Sequence, residues 1–372
     1  MRILYVCNED FAIGGASLSL RAMLDALKGK VEPVLLFRAE GAAAEYFRNA
    51  GYECEIIPFR RATFHSIGLI RAVRYIPHAI TTAIIQRRCV KTCKQRFAGI
   101  SAVHSNSGTV DIGVRIAAAL GVPHIWHIRE YLDLGLHTIP FPNWRHWRKE
   151  IFASDAVIAI SPGLYSHLQL DRHPHGICLP DAVCSAADAV TNPEKEDYVA
   201  FLAGTISEIK RPEEAIRIFA ASGAKGHILR FFGSIDPEYK EELKALAEEL
   251  EVAPRVKFKP FTEDVKSVLS NASAVLVCTD FEGMGRVGVE AMFYGCPVIA
   301  RKSGGSEDLF AEGRGYLYTS IFKAAEYLRL VLGEFPADMV KNARSYAIKN
   351  FATEDYANKI LKVYTDCHID EN

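Results

Sequence analysis

Short apolar runs alternate with amphipathic stretches along most of the chain, the pattern left by parallel sheets covered with helices. In the first half the runs predict strands at residues 3–7, 34–37, 54–58, 102–105, 124–128 and 156–160. Between 180 and 197 the rhythm lapses into small and polar residues. It then restarts, with strands expected at 198–203, 228–232, 256–259, 274–278 and 297–300. Beyond Gly333 the pattern is helical, and Tyr356, Ile360 and Tyr364 repeat at four-residue spacing, so a helix over about 353–367 buries one face. The expectation is an α/β protein of two Rossmann-like, doubly wound domains, 1–190 and 191–350, whose strand ends face a shared cleft. A final segment, 351–372, is expected to cross back to the first domain.

The 372 residues suit two domains at roughly 100–200 residues each. With 49% apolar and 24% charged residues, disorder, collagen and coiled coil are excluded. No apolar run is long enough to span a bilayer, and Met1 to Asn8 reads as a buried strand, not a signal peptide. A cytoplasmic location is expected. The nine cysteines are scattered, only Cys89 and Cys93 lying four apart on a helix, as suits free thiols in a reducing compartment. Net charge is −1, yet residues 1–195 carry 22 Lys and Arg against 17 Asp and Glu. From Arg60 to Arg96 there are nine basic residues and no acidic one (Arg60, Arg61, Arg71, Arg74, Arg87, Arg88, Lys91, Lys94 and Arg96). Such a stretch seeks an anionic neighbour or is simply solvated. An anionic membrane surface is the expected partner of 60–96, and Trp144 and Trp147 either add an interfacial anchor or belong to the core.

The chemistry concentrates in Asp280-Phe281-Glu282-Gly283-Met284-Gly285-Arg286-Val287-Gly288-Val289-Glu290-Ala291-Met292, which leaves a strand, crosses a glycine turn and enters a helix. Gly283 and Gly285 let backbone approach a ligand closely. The helix starting near Arg286 aims unpaired N–H groups and a positive dipole end at that place, a seat for a diphosphate. Glu282 and Glu290 would flank it, each carboxylate able to accept two hydroxyl hydrogen bonds from a sugar or a ribose.

This E-x7-E segment and the Gly295-Cys296-Pro297-Val298-Ile299-Ala300 strand after it closely resemble the retaining glycosyltransferases of the GT-B fold, family four. The resemblance implies GT-B architecture and a place in donor binding for Gly283, Met284, Gly285, Arg286 and Val287. Gly204 to Lys210 looks like the family's phosphate loop, with Lys210 as the diphosphate-binding lysine. Thr205 stands where an arginine is usual, and Arg211, the nearest cation to replace it besides Lys210, reads better as a solvent residue at the start of the next helix. Ser303 to Asp308 resembles the glycine-rich turn bordering the donor, and Gly14 with Gly15 the loop near the transferred sugar. His127 matches the family's cleft histidine. His104, Ser105, Asn106, Arg129 and Glu130 would border the acceptor. Leu179-Pro180-Asp181-Ala182-Val183 departs from the usual Pro-Asn-Gly turn, a change expected to leave the chemistry untouched.

The implied function is transfer of a sugar from a nucleotide-diphosphate sugar to an acceptor hydroxyl with retention, in synthesis of a cell-surface polysaccharide or glycolipid. Glu282, His127 and Lys210 would be catalytic and Glu290 would hold the ribose. The acceptor would be a saccharide or lipid-linked saccharide. No Asp-x-Asp motif is present, so no metal and no other cofactor is expected, nor a nucleic-acid partner. A nucleotide-sugar epimerase or hydrolase, or a non-catalytic binding protein on the same scaffold, remain alternatives. A nicotinamide dehydrogenase is excluded by the missing G-x-G-x-x-G after the first strand.

Overall fold

The computed structural model describes residues 1–8, 13–64, 69–190, 192 and 194–368. The chain forms two compact units, Met1–Asp181 together with Asp355–Asn372, and Ala182–Glu354. The first unit therefore gives up the chain earlier than residue 190 and takes it back after residue 350.

Unit 1 opens with β1 (Arg2–Val6), α1 (Gly15–Ala26), β2 (Glu32–Phe37), α2 (Ala42–Asn49) and β3 (Glu53–Ile56). There follow β4 (Thr63–Phe64), the long α3 (Leu69–Arg96), β5 (Ala102–Ser105), α4 (Ile112–Leu120) and β6 (His124–Ile128). β7 (Ile139–Pro140), α5 (Trp144–Phe152), β8 (Ala156–Ala159), α6 (Pro162–His167) and β9 (Gly176–Cys178) complete its first stretch. Seven strands pair in the order β3-β2-β1-β5-β6-β8-β9, all parallel. Helices cover the sheet, so its central strands are buried throughout and mostly apolar: Ile3, Leu4, Tyr5, Val6, Val103, Ile125 and Ile158 are wholly buried. On one face α3 and α4 close a core of Leu4, Val6, Val34, Leu36 and Val103 with Cys89, Cys93, Ile112 and Ile116.

Unit 2 runs β10 (Glu196–Ile206), α7 (Pro212–Ser222), β11 (Ile228–Ile235), α8 (Pro237–Glu249), β12 (Val256–Lys259), α9 (Val265–Asn271) and β13 (Ala272–Val277). It continues with α10 (Arg286–Phe293), β14 (Val298–Arg301), α11 (Gly305–Phe310), β15 (Tyr316–Tyr318), α12 (Ile321–Gly333) and α13 (Ala337–Phe351). Its six strands are ordered β12-β11-β10-β13-β14-β15, again parallel. The register of β10 slips between Leu202 and Thr205. Opposite that irregularity Gly233 has φ +152°, and a Cβ there would lie 2.2 Å from the Ala203 carbonyl oxygen, so only glycine fits. The last helix, α14 (Tyr356–Asp366), belongs to unit 1. Its Tyr364 hydroxyl hydrogen-bonds the Tyr5 hydroxyl (2.8 Å) and His104 Nδ1 (2.9 Å).

Every strand expected from the apolar runs is present. The two-residue strands β4 and β7, which pair antiparallel, and the three-residue β9 and β15 had not been expected, being too short for an alternation to register. Trp147 is buried, donating from Nε1 to the Gly108 carbonyl (3.0 Å), so it serves the core. None of the nine cysteines, all among the described residues, is in a disulfide. Among the described residues no helix is long and apolar enough to cross a membrane.

His124 on β6 is buried between two hydroxyls, Ser105 on Nε2 and Ser154 on Nδ1, both at 2.9 Å. Burial pushes its pKa down to about 3. The unfolded chain binds a proton here below pH 6.5 and the folded chain does not, so this residue removes stability as pH falls. Lowering the pH from 7.5 to 5.5 should therefore cost the wild type about 1.4 kcal/mol more than a His124→Gln variant. Urea unfolding at the two pH values measures the difference, and equal losses in both proteins would contradict it.

Candidate active site

Each sheet reverses its strand order once, between β1 and β5 in unit 1 and between β10 and β13 in unit 2. Loops leaving the carboxyl ends of such strands part to opposite faces and open a crevice, the usual ligand site of an open α/β sheet. The residues singled out from the sequence gather at these two places.

In unit 2 the loop from β13 to α10 is locked to the turn after β14. The Gly305 N–H donates to the Glu282 carbonyl (2.8 Å) and the Phe281 N–H to Ser303 Oγ (3.1 Å). A Cβ on Gly304 would sit 2.7 Å from Phe281 Cα, and one on Gly305 2.6 Å from the Gly283 carbonyl oxygen, so the glycine-rich turn is required for backbone to pack on backbone. Gly285, at φ +87°, swings the chain into α10. The first N–H groups of α10, those of Arg286 and Val287, have no acceptor within the helix. Gly283 and Met284 are buried beneath this turn.

Lys210, from the short turn after β10, meets Glu282 directly, Nζ to Oε1 at 2.7 Å. Burial would raise the Glu282 carboxyl, but Lys210 outweighs it and the pKa is lowered. Glu290 lies one helical turn into α10, with Arg286 Nε on its Oε1 (2.9 Å). Here burial prevails over the arginine, and the pKa is raised. Gly204 and Thr205 are exposed at the end of β10.

Arg211 is not a solvent residue. It donates to Glu214 (2.9 Å) and Asp280 (2.6 Å), while Arg301 at the end of β14 grips the same two carboxylates. Glu214 is buried, and two guanidiniums on two carboxylates satisfy one another. This square fixes the start of the Glu282 loop. Sequence reasoning missed Glu214, Asp280 and Arg301, which come from three separate elements and share no local motif.

In unit 1, Gly14 precedes α1 and Gly15 is exposed with open space around it. Asn106, just past β5, donates to the Ala16 carbonyl (3.3 Å) and accepts from Arg129 Nη2 (2.9 Å). Arg129 is buried, and its Nη1 is bonded to Asp181 and to His127 Nε2 (3.0 Å). Asp181 also accepts from the Tyr356 hydroxyl of α14 (3.0 Å). The departure at Asp181 therefore touches the candidate site: its carboxylate neutralises the arginine beside His127. A guanidinium can only donate, so His127 Nε2 accepts and the ring proton sits on Nδ1. That Nδ1 is buried and has no partner among the described residues. Burial, then the Arg129 charge, hold His127 well below the usual histidine range, as a neutral ring.

The acceptor-side group divides. His104 faces His127, ring centroids 5.5 Å apart, on the same side as Asn106 and Arg129. Ser105 points through the opposite face of the sheet to His124 and does not border that space. Glu130 is held by the Ser107 hydroxyl and the Arg129 N–H (3.1 Å), and burial raises its pKa. Among the described residues no group of three or more His, Cys, Asp or Glu side chains is placed to hold a metal ion.

The basic segment is mostly α3. Arg87, Arg88, Lys91 and Lys94 are exposed, Arg96 pairs with Glu55 (2.9 Å), and Arg61 donates to the Asn8 carbonyl (2.9 Å). The side chains of Arg71 and Arg74 lie outside the described residues. Ile76, Ile80 and Ile84, one turn apart on the same helix, are 66%, 56% and 45% exposed.

Residues 185–346 match the model of the family described as glycosyl transferases group 1. A segment of 96 residues, 26% of this chain and 17% of the relative, is 32% identical to the Vi polysaccharide biosynthesis protein VipC/TviE of Salmonella typhi. The chain thus aligns with less than a fifth of that relative's length. The fold is similar to Anabaena HepE in complex with UDP and glucose, at TM-score 0.79 and 19% identity over 98% of this chain and 99% of the other. It is also similar to a glycosyltransferase from Rickettsia africae (TM-score 0.72, 13% identity, 100% and 99% covered) and to sucrose-phosphate synthase from Thermosynechococcus elongatus (0.72, 16%, 99% and 99%). These likenesses establish the GT-B architecture of two Rossmann-like units.

Removing one member of a buried ion pair strands the other without water. Arg129→Met and Asp181→Leu should each lower the unfolding free energy by about 3–5 kcal/mol, and the double variant should lose less than the two singles added together. Urea denaturation of the three proteins checks this; strictly additive losses would show that the pair is not coupled.

Proposed function

We propose that the protein transfers a hexosyl residue from a nucleoside-diphosphate sugar to an acceptor hydroxyl, with retention and without a metal. The observation that carries this reading is the Lys210–Glu282 pair set at the strand-order reversal of unit 2 beside the N-terminus of α10, with Glu290 one turn behind. In the proposed reaction the bond from the anomeric carbon to the diphosphate oxygen breaks and the acceptor oxygen takes its place. The departing diphosphate oxygen receives the acceptor's proton on the same face of the sugar. Lys210 and the α10 N–H groups stabilise the charge that gathers on the diphosphate, in a site already arranged for it. Glu282 takes sugar hydroxyls and Glu290 the ribose. The family match over residues 185–346 and a structural neighbour holding UDP and glucose support the donor class. Unit 1 is assigned a saccharide or lipid-linked acceptor, and the relative in polysaccharide biosynthesis favours a cell-surface polymer or glycolipid.

The same reading assigns α3 to an anionic cytoplasmic leaflet. Each basic residue near such a surface contributes about 1 kcal/mol, and the exposed Ile76, Ile80 and Ile84 add an apolar stripe to the four exposed cations. Flotation should recover more protein with phosphatidylglycerol vesicles than with phosphatidylcholine vesicles; equal recovery would remove the membrane from the proposal.

The two glutamates should fail differently. Glu290→Gln removes a charged acceptor worth roughly 1.5–3 kcal/mol and should weaken UDP and UDP-sugar alike. Glu282→Gln should leave UDP affinity nearly intact while transfer falls. Calorimetry with UDP and a transfer assay separate the cases, and a Glu282→Gln protein that loses UDP as badly as Glu290→Gln would overturn the assignment. Chelator should leave the rate unchanged; abolished activity would put a metal on the diphosphate.

A further inference from the structure

Lys210 is the one cation assigned to the diphosphate above, and Arg286, the first residue of α10, stands beside the same seat. Its guanidinium is engaged elsewhere. Nε donates to Glu290 Oε1 (2.9 Å) and Nη2 to the Val183 carbonyl (3.3 Å), while Nη1 is buried. All three nitrogens are thus committed or covered, and Arg286 can meet an anion only through its backbone N–H.

Glu290 depends on that guanidinium. The two side chains are 20% (Arg286) and 11% (Glu290) exposed, and among the described residues Glu290 has no other ion-pair partner. Burial favours the uncharged acid and Arg286 opposes it, with burial ahead. A protonated carboxyl brings a donor of its own, whereas the carboxylate accepts on both oxygens, and two adjacent ribose hydroxyls need two acceptors. The other titratable groups beside Glu290 are Tyr294, one turn further along α10, and Cys184, whose Sγ lies 3.2 Å from the Tyr294 hydroxyl. Burial pushes the tyrosine far up and the thiol up to about 11, and Asp188 acts on those two groups. The helices packed on α10, namely α9, α11 and α13, place no ion-pair partner on Glu290 among the described residues. We propose that Arg286 is a positioning residue for the donor: its side chain holds Glu290 as a charged acceptor for the ribose hydroxyls and does not itself bind the diphosphate. This rests on the ribose role proposed for Glu290 above.

Calorimetry with UDP on the whole chain, from pH 6.5 to pH 9, tests this in the wild type, Arg286→Met, Arg286→Lys, Glu290→Gln and the double variant Arg286→Met with Glu290→Gln. Titration of UDP itself is common to all of them and cancels from ratios of affinity. An opposite charge this close lowers a carboxyl pKa by about 1–3, so Arg286→Met should bind UDP about tenfold more weakly than the wild type at pH 6.5, with the deficit vanishing toward pH 9. Arg286→Lys keeps the charge and should recover most of that loss. In the Glu290→Gln background, Arg286→Met should add no pH-dependent loss. A deficit equal at every pH would overturn the proposal, because a lost diphosphate contact or a disturbed helix weakens binding alike across the range. So would an Arg286→Lys protein as weak as Arg286→Met at pH 6.5, or a pH-dependent loss that persists without Glu290. Far-UV circular dichroism checks that each variant folds, and Arg286→Gln replaces Arg286→Met if that one does not. Should neither fold while Arg286→Lys does, the charge serves the fold and the proposal is overturned as well. A wild type that binds no UDP at any pH would sink the whole donor reading, whereas UDP binding with a flat ratio removes only the role given to Arg286.

Discussion

A buried guanidinium must find a carboxylate or it will not stay buried, and Arg129 finds Asp181. That requirement organises unit 1. Asp181 is the last residue before the chain leaves the unit, and Tyr356, which bonds the same carboxylate, is the second residue after it returns. One carboxylate thus gathers both crossing points, and the arginine it neutralises reaches Asn106 and His127 at the strand-order reversal. The ring of His127 is kept neutral and in a single tautomer by the same arginine, which leaves it a buried, fixed N–H donor.

Unit 2 solves a similar problem with a denser set of charges. Its site loop follows β13, where Arg211 and Arg301, themselves held by Glu214, brace Asp280, and backbone-to-backbone contact with Gly304 and Gly305 holds the remainder. Lys210 and Glu282 then oppose one another on a rigid base. The pair neutralises itself.

Much of this was legible from one sequence because parallel strands buried on both faces produce apolar runs, and because the Glu282–Glu290 segment carries its geometry locally in its glycines. The hydrogen-bonded squares and chains were not legible. Arg301 and Glu214 are 87 residues apart, Tyr5 and Tyr364 359 apart, and no local spacing encodes such pairs. Asp181 looked like a harmless departure in a turn because its partner Arg129, just past β6, lies 52 residues away. The placement of Ser105, by contrast, could have been read: adjacent residues on a strand point to opposite faces, so Ser105 and His104 could not both border one space.

The return of α14 to unit 1 makes unit 2 an insertion within unit 1's chain, and this sets an order of assembly. Residues 182–354 are contiguous and hold all the contacts of their own sheet, so they can mature as the chain emerges. The hydroxyl of Tyr5 must wait for Tyr364, and Asp181 must wait for Tyr356. Unit 1 therefore stays open where α14 docks until that helix has been made, a period in which its apolar surface is exposed to other nascent chains and to chaperones.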